Sequence, residues 1–241
     1  MSLTTLIQFV DVSSLQHLKS DIWRAVEAQH KVSTMRLVNN QLDDQILLED
    51  MIEAAKPPVP DNVRNLHWLL FTPFRYRPRP PGSRFRAPQD LGVFYGGFER
   101  RTACAEAGYW KWRFVQDSEG LTKLDAHNMS LFVASIDTQA IDLRQPPYAK
   151  QRNVWMHPSD YSQTQGLARK AREVSAGAIV YESVRDMEHG GCVAVLSPEA
   201  LARKTPKPES WFLTITNEGA VWQRELGGMF TFSFLGVDFL F

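Results

Sequence analysis

Apolar residues in this chain fall into blocks whose spacing changes along its length. From about residue 13 to 55 they recur every three or four positions. Leu15, Leu18, Ile22, Ala25 and Val26 follow a capping Ser13 or Ser14. Leu42, Ile46, Leu47, Met51, Ile52 and Ala55 come after an interruption at Asn39-Asn40. This period predicts two helices. The apolar face of the second either packs on the main domain or binds a partner. Pro57, Pro58 and Pro60 stop it and form a stiff connector. The run 66–76, LHWLLFTPFRY, predicts a strand with Pro73 at its end or on a sheet edge. RPRPPGSRFR then marks a loop.

The pattern becomes shorter in period beyond this loop. Gly92-Val93-Phe94-Tyr95 predicts a strand that turns on Gly96-Gly97. Ala105, Tyr109 and Trp112 share one face of a helix over 103–112. Leu131–Ile136 predicts a buried strand, with Asp137-Thr138 as turn residues after it. The polar, proline-containing stretch 144–165 reads as a loop, and 166–174 as a helix. Two strands, 178–181 and 192–196, flank a turn at Gly190-Gly191. Trp211–Ile215, Val221-Trp222 and the alternating Phe230, Phe232 and Phe234 close the pattern as strands. The apolar end reads as a sheet edge that another chain covers, in an oligomer or a complex.

Composition narrows the function classes. Apolar residues make up 44% and charged residues 22% of 241 residues, the range of a soluble globular protein. Lys+Arg and Asp+Glu both number 27, so no global charge draws the chain to nucleic acid or to a membrane surface. The N-terminus lacks the basic start and apolar core of a signal peptide, and no apolar run approaches the roughly 20 residues that span a bilayer. Cys104 and Cys192 have no CxxC partner, which fits a reduced cytoplasmic protein with both thiols in its core.

Candidate chemistry concentrates in the stretch 84–106, RFRAPQDLGVFYGGFERRTACAE. Arginines precede a short strand, a glycine pair and the start of a small-residue helix that carries Glu106. Glycines and a helix start let a backbone approach an anionic ligand, and a guanidinium fork binds phosphate oxygens in pairs. Arg75, Arg77, Arg79, Arg84 and Arg86 are the candidates, each alternatively a solvated loop residue. Other chemistries lack their motifs. There is no GxxxxGK[ST] loop, no GxGxxG after a strand, no HExxH, no Cys/His cluster for a metal and no GxSxG elbow.

Two segments taken together, SRFR…GVFYGG…TACAE and GAIVYESVR…GGCVAVL, resemble the RES domain family of NAD-consuming toxins of toxin–antitoxin pairs. That family is named for an arginine, a glutamate and a serine, which here would be Arg84, Glu106 and Ser183. Its tyrosine matches Tyr95, and the steps from Arg84 to Tyr95 and from Tyr95 to Glu106 are both 11 residues. A further arginine at the end of the preceding strand is usual in the family; Arg75 fits best and Arg77 is the alternative. The resemblance covers roughly residues 66–200. It implies a compact α/β (α+β) fold, a twisted mixed sheet with flanking helices, similar to ADP-ribosyltransferase toxins. Residues 1–60 would then be an N-terminal helical extension and 61–241 the catalytic domain.

The same resemblance implies cleavage of the nicotinamide–ribose bond, with NAD as substrate and no metal. The ADP-ribosyl group passes to water, to phosphate or to a protein side chain. The implied partner is an Xre-like helix-turn-helix antitoxin, with no direct contact to nucleic acid or membrane. Glu106 would stabilise the oxocarbenium ion. Arg84 and Arg75 would bind the pyrophosphate. Tyr95 would stack on or bond near the nicotinamide ribose, and Ser183 would hold the ribose or nicotinamide. The competing reading is a non-catalytic binding module, with Tyr95 a core aromatic and Ser183 a turn residue.

Overall fold

The computed structural model describes residues 7, 10–28, 38, 39, 41–77, 80 and 82–236. In chain order its regular elements are β1 (Gln16–Glu27), α1 (Leu42–Ala54), α2 (Trp68–Arg75), β2 (Phe94–Gly97), α3 (Arg100–Gln116), β3 (Leu124–Asp142), α4 (Arg152–Trp155), α5 (Ser162–Glu173), β4 (Ala178–Glu182), β5 (Gly191–Val195), β6 (Glu209–Ile215), β7 (Gly219–Arg224) and β8 (Met229–Ser233). The strands form one mixed sheet in the order β1-β2-β5-β4-β3-β6-β7-β8, and β1 also pairs with β3. The pairings therefore close on themselves through five strands, with β1 joined to β2 at the single pair Trp23↔Gly97 and to β3 along its whole length. The sheet continues beyond that ring as β6, β7 and β8.

Burial explains the central strands. Every residue of Ala178–Tyr181 and Cys192–Val195 is buried, as expected where both sheet faces are covered. Alternate side chains go to opposite sides. Ile179, Tyr181, Cys192 and Ala194 join a core built with Phe85, Trp155 and the α5 residues Leu167, Ala168 and Ala171. Ala178, Val180, Val193 and Val195 join a second core with Ile22, Phe94, Phe132 and the α2 residues Leu69 and Leu70. A third core packs Cys104, Ala105, Tyr109 and Trp112 of α3 against Trp211, Leu213, Trp222, Phe232 and Phe234. No helix among the described residues is long and apolar enough to cross a membrane.

Several local expectations are corrected. The first predicted helix, as far as residue 27, is strand β1; residues 29–37 and Asn40 lie outside the described set. It pairs with β3 over twelve residues, from Gln16↔Ala140 to Glu27↔Met129. A partner more than a hundred positions away outweighs the local helical period. The N-terminal segment is thus part of the sheet rather than a purely helical extension. Conversely, 66–76 contains helix α2 and not a strand. Leu66, Leu69 and Leu70 are buried at three- and four-residue spacing, and His67 Nδ1 caps the helix by accepting from Leu69 N–H at 3.3 Å. Asp137 and Thr138 lie inside β3, where they face Lys19 and Leu18. The apolar side chains of α1 do not pack on the domain: Leu42, Ile46, Leu47, Met51 and Ile52 are all exposed. Apolar residues lie all round this helix, so burying them would take more than one packing partner.

Candidate active site

Strand β2 brings Tyr95, Gly96 and Gly97 to the start of α3. The two glycines are strand residues and not a turn, and they permit close approach. A Cβ on Gly96 would lie 2.9 Å from Ile22 Cδ1 and 3.0 Å from Trp23 O, and one on Gly97 would lie 3.0 Å from Ala103 N. Without side chains here, β1 and α3 close in on β2 from two sides. Between them lies a cavity of about 390 Å3, within the range of small-molecule sites. Trp23, Arg24 and Ala25 of β1, Arg84, Tyr95, Glu106, Trp110, Tyr161, Tyr181 and Arg185 are among its lining residues.

Glu106 stands in the second turn of α3. Its Oε1 accepts a hydrogen bond of 2.5 Å from Ser183 Oγ. Ser183 is fully buried at the end of β4, and its hydroxyl oxygen accepts from Arg185 N–H at 3.2 Å and Asp186 N–H at 2.9 Å. Two donors on that oxygen leave its own proton aimed at the carboxylate. The loop that holds Ser183 is tied to α3 a second time. Thr102, one turn before Glu106, donates to buried Asp186 at 3.0 Å. His189 donates from Nδ1 to Ser183 O at 3.0 Å and has φ of 51°, a left-handed conformation that closes the loop. Gly190 follows because a Cβ there would lie 2.1 Å from Thr102 Oγ1.

The cations around the cavity are held differently from one another. Arg84 is buried and donates to Trp155 O at 2.7 Å and His157 O at 3.0 Å, with its guanidinium 4.8 Å from the Tyr161 ring. Arg185 donates to Pro158 O at 2.6 Å and lies 3.7 Å from the Tyr109 ring. Among the described residues Arg24 donates one bond, from Nη1 to Tyr95 O at 2.7 Å, and its buried Nε has no partner there. Burial pushes the Arg24 pKa down to about 10, so it stays charged at neutral pH. The lining thus combines three guanidinium groups with one carboxylate, an arrangement suited to an anionic ligand with one cationic end.

The sequence-predicted residues separate into three groups. Arg84, Tyr95 and Glu106 line the cavity. Ser183 touches Glu106 from behind and does not line the space, so its hydroxyl is not offered to a ligand. The Tyr95 hydroxyl is also committed: it bonds Ser83 Oγ at 2.9 Å and accepts from Phe85 N–H at 3.0 Å, and burial raises its pKa. Arg75 is the correction. It ends α2, where it donates to Pro57 O at 2.6 Å and pairs with Glu53 at 2.7 Å, away from the cavity. Arg77 and Arg86 do not line the cavity either, and Arg79 lies outside the described residues. Arg24 and Trp23 were missed because their strand was read as a helix; the signal available was an arginine flanked by an aromatic residue and β-branched positions. No group of three His, Cys, Asp or Glu able to hold a metal occurs among the described residues.

A family model described as RES domain matches residues 59–215, well over half of the chain. The chain belongs to the RES domain family. Among curated proteins none matches it. Among solved structures, the chain is similar to one from the M. tuberculosis MbcT–MbcA toxin–antitoxin complex. The identity is 11% and the TM-score 0.48, over 86% of this chain and 91% of that one.

Proposed function

We propose that the cavity binds NAD+ and breaks its nicotinamide–ribose bond, and that the protein is the toxin of a toxin–antitoxin pair. The observation that carries the reading is the hydrogen bond from buried Ser183 to Glu106 at the wall of an arginine-lined cavity. In the cleavage the C1′–N bond breaks, its electron pair leaves with neutral nicotinamide, and positive charge develops on the ribose. A fixed carboxylate beside that carbon stabilises the charge by a few kcal/mol. Water or phosphate then attacks C1′ and loses a proton to solvent or base.

Each side chain has a part in this reaction. Glu106 is the catalytic carboxylate. Ser183 is a positioning residue: its proton fixes the carboxylate rotamer, and the backbone N–H groups of Arg185 and Asp186 fix the serine. Arg24 and Arg84 face the pyrophosphate. Of the two, Arg24 has the larger unused donor capacity, with one bond among the described residues against two for Arg84. Tyr95 braces the arginine segment through Ser83 and Phe85 and accepts Arg24 on its carbonyl. The catalytic unit then includes β1, upstream of the matched residues 59–215. The family resemblance adds a helix-turn-helix antitoxin as partner and the cytoplasm as the place of action. The test is release of free nicotinamide from NAD+ by pure protein, with and without phosphate. Label from adenine-labelled NAD+ that remained on a protein band would assign transfer to a protein instead.

A further inference from the structure

We infer that Trp110 is the stacking platform for the nicotinamide ring and so sets selectivity for the oxidised, cationic dinucleotide. The inference rests on the NAD+ reading of the cavity and adds a residue to it. Trp110 lies on α3 four positions after Glu106, just over one helical turn and about 6 Å further along the axis. It lines the cavity and yet is 53% exposed, a large apolar side chain beside the arginines that also line this space. Tyr109 meets it edge-on with ring centroids 5.3 Å apart, which restricts the indole. The reacting ribose carbon must lie beside Glu106, and the nicotinamide is bonded to that carbon. A ring one turn away is within reach of that leaving group, whereas the adenine lies beyond the pyrophosphate.

The Arg185 guanidinium lies 5.8 Å from the centroid of the Trp110 ring, so the nicotinamide takes the indole surface that this cation leaves open. The nicotinamide ring of NAD+ carries a positive charge, and an indole face attracts a cation more strongly than any other side-chain ring. The attraction fades as the C1′–N bond breaks, because the departing nicotinamide is neutral. It therefore strengthens ground-state binding and does not lower the barrier from the bound complex, so its loss appears in KM and not in kcat. Phe114, one further turn along α3 and 59% exposed, does not line the cavity and serves as the internal control.

The test is initial-rate kinetics on the full chain. Trp110→Ala raises KM for NAD+ by about tenfold with kcat unchanged or slightly raised, and Trp110→Phe recovers most of the loss. Inhibition by ADP-ribose, which lacks the ring, stays the same in both variants, and Phe114→Ala behaves as the wild type. An unchanged KM in Trp110→Ala, or an equal weakening of NAD+ and ADP-ribose, overturns the assignment and leaves the NAD+ reading standing. Failure of the wild-type protein to turn over NAD+ overturns both. Folding is not at issue for a residue this exposed, and a thermal melt of each variant checks it.

Discussion

Ser183 Oγ lies 2.5 Å from Glu106 Oε1, and the bond joins the end of β4 to the second turn of α3. The serine is fully buried and receives two backbone N–H groups, so it is the fixed partner and the carboxylate is the group being aimed. Ser183→Ala leaves Glu106 in place without its anchor. The expected result is a fall in NAD+ turnover of about a hundredfold with KM nearly unchanged, as for a misplaced catalytic group. Steady-state kinetics check it; a loss confined to KM would return Ser183 to a ligand-binding role.

The loop carrying Ser183 depends on Asp186. Thr102→Ala removes the donor at 3.0 Å and leaves a buried carboxylate oxygen short of a partner. Stability is expected to fall by about 1–3 kcal/mol. For a chain of this size each kcal/mol lowers Tm by about 2–4 °C. Turnover should fall as well, because Thr102 lies one turn from Glu106 on the same helix. A variant with wild-type Tm and wild-type turnover would show that the loop does not need this tie.

Arg24 allows a pH test whose sign follows from its burial. Its folded pKa of about 10 lies below the ordinary 12.5. The unfolded chain therefore binds the extra proton between those values, and the destabilisation that this site contributes at neutral pH is relieved as pH rises through that window. Arg24→Met is expected to match or exceed wild-type stability near about pH 8.5, with the difference shrinking toward about pH 11. Urea midpoints at the two pH values measure it, and an advantage for Met that grew with pH would contradict the account. The same variant should weaken NAD+ binding by about tenfold or more through loss of a charged donor to phosphate.

The thiols give a simple structural check. Cys104 and Cys192 are both buried, and burial is the largest cause raising the pKa of each. Neither should react with iodoacetamide in the native protein, and both should react in urea. Mass spectrometry counts the adducts; Cys192 borders the cavity but is 1% exposed, and rapid labelling of the folded chain would show that a thiol is open to the reagent.

The sequence revealed the parts of this protein that depend on short-range order. Helix α3 and strands β4 and β5 could be read because each rests on a local run of residues, whereas Arg84, Tyr95 and Glu106 were singled out together by the family resemblance. Strand β1 could not, since its stability comes from Phe132, Ala134 and Ile136 on a distant strand, and with it Arg24 and Trp23 were lost from the site. Helix α2 was read as a strand because a short apolar run fits both states, and burial of Leu66, Leu69 and Leu70 decides between them. Arg75 was chosen by the family resemblance, as an arginine at the end of the strand expected over 66–76, and only the fold reveals that Glu53 and the Pro57 carbonyl hold it elsewhere.

The most direct measurement is nicotinamide released from NAD+ by purified wild-type protein and by Glu106→Gln, each with and without phosphate. The account predicts steady release by the wild type and a loss of about a hundredfold or more in the variant, with its fold and NAD+ affinity retained. No release by folded wild-type protein under either condition, or equal rates in the two proteins, would contradict it.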